Sequence, residues 1–185
     1  DRVRVIDDRP KTTMSRGYRR AFEACRGEWV AWFNDDVEVM PDCIDRAVVW
    51  MTTNRDVGMG AMYYKEADIP YHVNEYLGTV YANFGILRWM LGARLGWFDP
   101  DVGMYGSDNT LTWKVLLDDK SVLPIPGTRV VHYAVTDQNR QSNHLSVSKD
   151  HEVLHGRYGP KMEAIRVAAN KFRLLQGPIL APTLP

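Results

Sequence analysis

The sequence predicts an α/β protein built on a mostly parallel sheet flanked by helices, and three observations carry this. Short apolar runs, Trp29–Phe33 and Val57–Tyr64, alternate with stretches whose apolar residues fall at helical spacing. Strands alternating with helices at this pace imply right-handed crossovers. The composition of the 185-residue chain, 45% hydrophobic and 25% charged, is that of an ordinary globular domain able to bury a core.

Each element has its own justification. Val3–Ile6 reads as a short strand. Ser15 is expected to cap a helix reaching about Cys25, with Tyr18, Ala21, Phe22 and Cys25 on one face and Gly27 ending it. Trp29–Phe33 suits a buried strand of a parallel sheet. Pro41 fits the first position of a helix carrying Ile44, Ala47, Val48 and Met51 inward. Val57–Tyr64 is the next strand. Ile86–Arg94 is read as helix, residues 96–101 as a loop, and Ser107–Leu117 as a helix burying Leu111, Val115 and Leu116. Val122–Ile125 and Arg129–Tyr133 read as strands separated by Pro126-Gly127. A polar loop is expected over Thr136–Asn143, helices over Ser148–Tyr158 and Pro160–Leu175, and a Pro-rich tail over 176–185. One domain is expected over residues 1–175.

Several function classes are excluded by composition. Lys plus Arg equals Asp plus Glu, 23 each, which argues against a nucleic-acid partner. Cys25 and Cys43 make no disulfide framework, so a reducing, cytoplasmic setting is expected, soluble or peripheral to a membrane. The longest apolar segment, Leu77–Trp97, contains Arg88 and Arg94, so no transmembrane span is expected. No secretory leader opens the sequence, and the lack of an initiator Met reads as a piece of a longer protein.

The chemistry centres on WVAWFNDDVEVMP (29–41), where an apolar strand runs into Asn34-Asp35-Asp36. Ligands of such sheets bind outside the carboxyl ends of the strands. Adjacent carboxylates there repel unless a cation lies between them, and hard cations such as Mg²⁺ or Mn²⁺ take oxygen ligands. Taken alone, the triplet reads first as a polar turn. Further along come GWFDPDVGMYGSDNTLTWKV (96–115), with Asp108 in the first turn of a helix, and RVVHY (129–133), with His132 near a strand end. SKDHEVLHGRYG (148–159) then ends on Tyr-Gly.

This order resembles glycosyltransferase family 2, the inverting nucleotide-sugar transferases of GT-A fold, over roughly residues 1–160. The resemblance implies a GT-A-like, Rossmann-related fold and transfer of a sugar from a nucleotide-sugar donor to a saccharide or other hydroxyl acceptor, assisted by Mn²⁺ or Mg²⁺. Residues 1–64 would be the remaining donor- and metal-binding part, 65–160 the acceptor side and 161–175 a C-terminal helix. Carried over by position, Asp36 and His132 match the metal site, Asn34 and Asp35 the donor side of the triplet, and Asp108 the general base. Trp97, Phe98 and Asp99 match the loop facing the acceptor. Displacing a nucleoside diphosphate needs its developing charge neutralised, and the attacking hydroxyl needs a carboxylate base.

Two departures stand out. Ser107 precedes Asp108 where the family has Glu, and the opening nucleoside-gripping segments are missing; Asp7-Asp8 lies too close to the elbow to replace them. An N-terminally truncated domain is therefore expected, and a non-catalytic remnant acting as a binding module is the alternative.

Simpler readings stand beside these. Asp108 also suits the N-terminal dipole of its helix, and His132 a structural role. His151-Glu152-Val153-Leu154-His155 fits the H-E-x-x-H zinc-peptidase signature, but no third histidine follows, and a solvated helix face is the preferred reading.

Overall fold

The computed structural model describes residues 5–6, 12–65, 68–74, 77–133 and 147–174. A five-stranded sheet forms the centre, with strand order β1-β6-β3-β7-β2. These strands are β1 (Trp29–Trp32), β2 (Val37–Val39), β3 (Val57–Tyr64), β6 (Gly85–Arg88) and β7 (Ser121–His132). β3 pairs parallel with β7 and antiparallel with β6, which in turn pairs antiparallel with β1. The long strands β1, β3 and β7 therefore point the same way, and their carboxyl ends share one edge. The short β2 returns antiparallel along β7. A two-stranded hairpin, β4 (His72–Asn74) and β5 (Thr79–Tyr81), lies outside the main sheet.

Helices cover both faces. On one lies α2 (Cys43–Thr53), whose Cys43, Ala47 and Met51 pack with Met62, Tyr64, Phe84, Ile86, Ile125 and Val130. On the other lie α1 (Met14–Ala24), α4 (Ser107–Leu117), α5 (Val147–Tyr158) and α6 (Met162–Leu174), around Phe22, Trp32, Met59, Trp97, Phe98, Leu111 and Trp113. Helix α3 (Trp89–Leu95) follows β6, and a 3₁₀ turn over Gly159–Lys161 joins α5 to α6. β3 is buried over Gly58–Met62, as the apolar run of a strand covered on both faces requires.

Several sequence expectations change. The cap of α1 is Thr13, whose Oγ1 accepts from the Arg16 amide; Ser15 lies inside the helix, fully buried. Pro41 sits in the turn before α2, and Ile44 faces outward. Ile86–Arg88 is strand rather than helix, because Ile86 and Leu87 are buried between β1 and β3, and helix begins only at Trp89. Pro126-Gly127 does not divide the last strand. β7 runs through it with a register irregularity against β3 between Ala61 and Tyr63, and Gly127 supplies a φ of 75°. β1 pairs antiparallel with β6 rather than with a parallel neighbour. Of the strand expected at Val3–Ile6, only Val5 and Ile6 are described, and they form none. Asp7-Asp8, the loop at 136–143 and the tail at 176–185 lie outside the described residues. Among the described residues no helix is long and apolar enough to cross a membrane.

Candidate active site

Three strand ends and one helix start converge on the carboxyl edge of the sheet. β1 delivers Asn34-Asp35-Asp36, β3 delivers Tyr64, and β7 delivers His132. The β2–β7 ladder opposes Val37 to His132, and the Tyr133 amide donates to the Asp36 carbonyl at 3.0 Å. That pairing fixes the backbones of Asp36 and His132 side by side.

His132 Nε2 consequently stands 3.1 Å from Asp36 Oδ1, both side chains being mostly buried. The contact has ion-pair distance but not hydrogen-bond geometry, and Asp36 Oδ1 is a buried oxygen without a hydrogen-bond partner. An orphaned carboxylate oxygen facing an imidazole nitrogen is costly unless a cation joins them. Two ligands at right angles on a hard divalent ion, with bonds of about 2.1 Å, stand about 3 Å apart. The pair therefore fits a divalent metal. Among the described residues no third His, Cys, Asp or Glu completes a metal-binding group, so water and ligand oxygens would fill the remaining positions, as is common for Mg²⁺.

The rest of the elbow has distinct parts. The Tyr18 hydroxyl from α1 donates to the Phe33 carbonyl at 2.6 Å and lies 3.1 Å from Asn34 Oδ1, so Asn34 is held from behind. Asp35 is exposed at the tip. Burial pushes the Tyr18 hydroxyl well above its usual range, helped by the negative charges of Asp35, Asp108 and Asp36. Tyr64 is raised by burial first and then by Asp108, Tyr81 and Asp36. Both phenols thus lie within electrostatic reach of Asp108 and Asp36. Tyr64, Phe84 and His132 pack ring against ring. His72 packs edge-on against Tyr64; burial and then the neighbouring His132 push its imidazole pKa down.

Asp108 enters from the first turn of α4. Gly106, at φ 94°, caps that helix, and a Cβ there would lie 2.6 Å from Leu154 Cδ1. Burial raises the Asp108 carboxyl to about 6, against hydrogen bonds from the Asn109 amide and side chain that lower it. A carboxylate with a pKa near 6 is suited to accept a proton near neutral pH. Ser107, where the resemblance implies Glu, is buried and hydrogen-bonds Ser15 Oγ, tying α4 to α1.

The loop before α4 differs from expectation. Trp97 and Phe98 are 2% exposed and Asp99 1%, so none presents a face to an acceptor. The Trp97 ring lies against Phe22 and Trp89, over Gly92, where a Cβ would come within 2.0 Å of it. Burying so large an apolar ring outweighs leaving it in a loop. Asp99 is gripped by Arg157 and takes a bond from the Tyr158 hydroxyl, so these three residues form the scaffold of the site. Trp97→Ala is accordingly expected to destabilise the fold by about 3–5 kcal/mol, read by chemical denaturation, with an unchanged midpoint contradicting the assignment.

Sequence reasoning missed Asp150. This carboxylate, 2% exposed on α5, accepts the backbone N–H groups of Gly103, Met104 and Tyr105 at 2.6–2.9 Å. It fixes the loop that leads into Asp108, and no sequence spacing signals a contact between residues this far apart in the chain. Asp150→Ala removes the charged acceptor of three part-buried backbone N–H groups and is expected to cost about 3 kcal/mol. Slow amide exchange at Gly103–Tyr105 in the variant would contradict this.

His155 and Glu152 are exposed on α5, and no metal-binding group of three forms around them among the described residues.

Comparison with known proteins agrees with the fold. The solved structure described as "Crystal structure of GalNAc-T7 with UDP, GalNAc and Mn2+" superposes with a TM-score of 0.60 at 9% identity, over 94% of this chain and 45% of that one. The two share the GT-A-like fold, and this chain spans less than half the length of that relative. No curated protein sequence matches the chain. The profile described as "Glycosyl transferase family 2" matches residues 1–111, a stretch that holds the elbow, the buried loop and Asp108, and on that match the chain belongs to glycosyl transferase family 2.

Proposed function

We propose that the chain is the catalytic part of an inverting, metal-assisted glycosyltransferase acting on a nucleotide-sugar donor and a hydroxyl acceptor. The observation that carries this reading is the orphaned Asp36 Oδ1 beside His132 Nε2, with Tyr64 within electrostatic reach of both Asp36 and Asp108. Asp36 and His132 would hold Mn²⁺ or Mg²⁺, with Asn34 and the exposed Asp35 on the donor side. When bound, the cation supplies positive charge to the diphosphate leaving group.

Asp108 takes the proton from the acceptor hydroxyl, whose oxygen attacks the anomeric carbon as the bond to the diphosphate breaks. A single displacement of this kind inverts the anomeric centre. The solved relative, whose description includes UDP, GalNAc and Mn²⁺, supports a nucleotide-sugar donor and a divalent metal. A panel of nucleotide sugars with saccharide acceptors, followed by phosphatase-coupled release of nucleoside diphosphate, tests the reading. Metal-dependent release together with an inverted product is expected. Binding of nucleotide sugar and acceptor without turnover would make it a binding module instead.

A further inference from the structure

The β4–β5 hairpin makes a buried contact with the start of α4. Asn74 and Asn109 are 9% and 3% exposed, and a chain of hydrogen bonds runs through them. The Leu77 amide donates to Asn74 Oδ1 at 2.9 Å, and Asn74 Nδ2 donates to Asn109 Oδ1 at 3.0 Å. Asn109 Nδ2 then donates to Asp108 Oδ1 at 3.0 Å, and the Asn109 backbone N–H reaches the same oxygen at 2.9 Å.

The direction of this chain is not arbitrary. An amide N–H only donates, so Leu77 fixes Asn74 with its oxygen toward the hairpin and its nitrogen toward Asn109. That in turn fixes Asn109 with its nitrogen toward Asp108. Two N–H groups meet at Oδ1, and such bonds are stronger to a carboxylate than to a neutral carboxyl, so the chain favours ionised Asp108 and leaves Oδ2 as the oxygen outside it.

We propose that Asn74 is a positioning residue for the general base, acting through Asn109 to hold Asp108 ionised with Oδ2 turned to the acceptor. The proposal rests on the reading of Asp108 as base. Burial alone drives the carboxyl toward its neutral form, and the Asn109 bonds oppose it. The titratable groups that Asp108 acts on are Tyr18 from α1 and Tyr64 from β3, which also sense Asp35 and Asp36 at the elbow and Tyr81 from β5. Tyr18 and Tyr64 are held neutral by burial and add no competing charge near pH 6.

Carboxyl-carbon NMR of the chain reads the test without a substrate. In the unmodified protein, the Asn109 side-chain amide resonance should titrate with the Asp108 carboxyl, at a midpoint near 6. Asn74→Asp removes the donor, so Asn109 must turn its nitrogen away from Asp108, and the Asp108 midpoint should rise by about one unit or more.

Thr112→Val is the structural control. Thr112 Oγ1 ties the residue after β5 to α4 by accepting from the Ala82 amide at 3.1 Å, and it donates to the Asp108 backbone carbonyl at 3.0 Å without touching the carboxylate. It should lower the melting temperature and leave the midpoint in place.

An Asp108 midpoint unmoved in Asn74→Asp overturns the proposal, and so does a matching shift in Thr112→Val. If Asn74→Asp does not fold, an Asn109 amide that fails to follow Asp108 in the unmodified protein overturns it equally. Retained transfer in Asp108→Asn would sink the base reading while leaving the titration result intact, so the two failures are distinguishable.

Discussion

Asp108→Asn is expected to abolish sugar transfer and, at the same time, to make the protein more stable at alkaline pH. The loss of a positioned base lowers the rate by about 10²–10⁴-fold. The gain in stability follows from linkage. The Asp108 carboxyl titrates at about 6 in the folded protein against 3.8 unfolded, because burial disfavours its charge. The folded state therefore holds the proton more tightly, and this contribution is fully present below about pH 4 and lost as pH rises through 6. Above pH 6 the folded protein carries the cost of a partly buried carboxylate, about 1–3 kcal/mol after allowing for its contact with solvent.

Asparagine keeps the bond from Asn109 and carries no charge, so the variant should melt higher than the unmodified protein at pH 8, the difference shrinking toward pH 4. Melting curves at both pH values measure this; equal destabilisation at both would show that Asp108 is a structural cap. In the unmodified protein, the transfer rate should fall as pH drops below about 6, as the base takes up its proton.

Asp36→Ala should remove metal-dependent donor binding altogether. Asp36 Oδ1 has His132 Nε2 at 3.1 Å and no hydrogen bond, so the substitution deletes half of the proposed protein ligand set. A lost ligand of this kind costs more than the 10–100-fold typical of residues that merely orient a ligand. Stability should change little, because an unsatisfied buried oxygen is removed along with the side chain. Calorimetric titration with Mn²⁺ and a nucleoside diphosphate reads the loss directly. Donor affinity equal in the two proteins, with and without Mn²⁺, would move the metal away from the elbow.

The parts legible in the sequence are those set by local chemistry. β3 and α4 fall where their apolar runs and periodicity place them, Val57–Tyr64 and Ser107–Leu117. The Asp36–His132 contact followed from two strand ends sharing one edge, which α/β connectivity anticipates. What was not legible depended on distant partners. Ile86–Arg88 carries no mark of strand, and it becomes one because β1 and β3 offer it hydrogen bonds on both sides. Trp97 in a glycine-flanked loop looked available to a sugar, yet the gap left by Gly92 draws it into the core. Asp150 and the Asn74–Asn109 pair are polar residues whose roles exist only after the hairpin and α5 have docked.

The measurement closest to the central claim is pulsed electron paramagnetic resonance of Mn²⁺ added with a nucleoside diphosphate. If Asp36 and His132 hold the cation, the spectrum should show modulation from a directly bound imidazole nitrogen, and His132→Ala should abolish it without unfolding the protein. Bound Mn²⁺ showing no nitrogen modulation, or modulation that survives His132→Ala, would contradict the account.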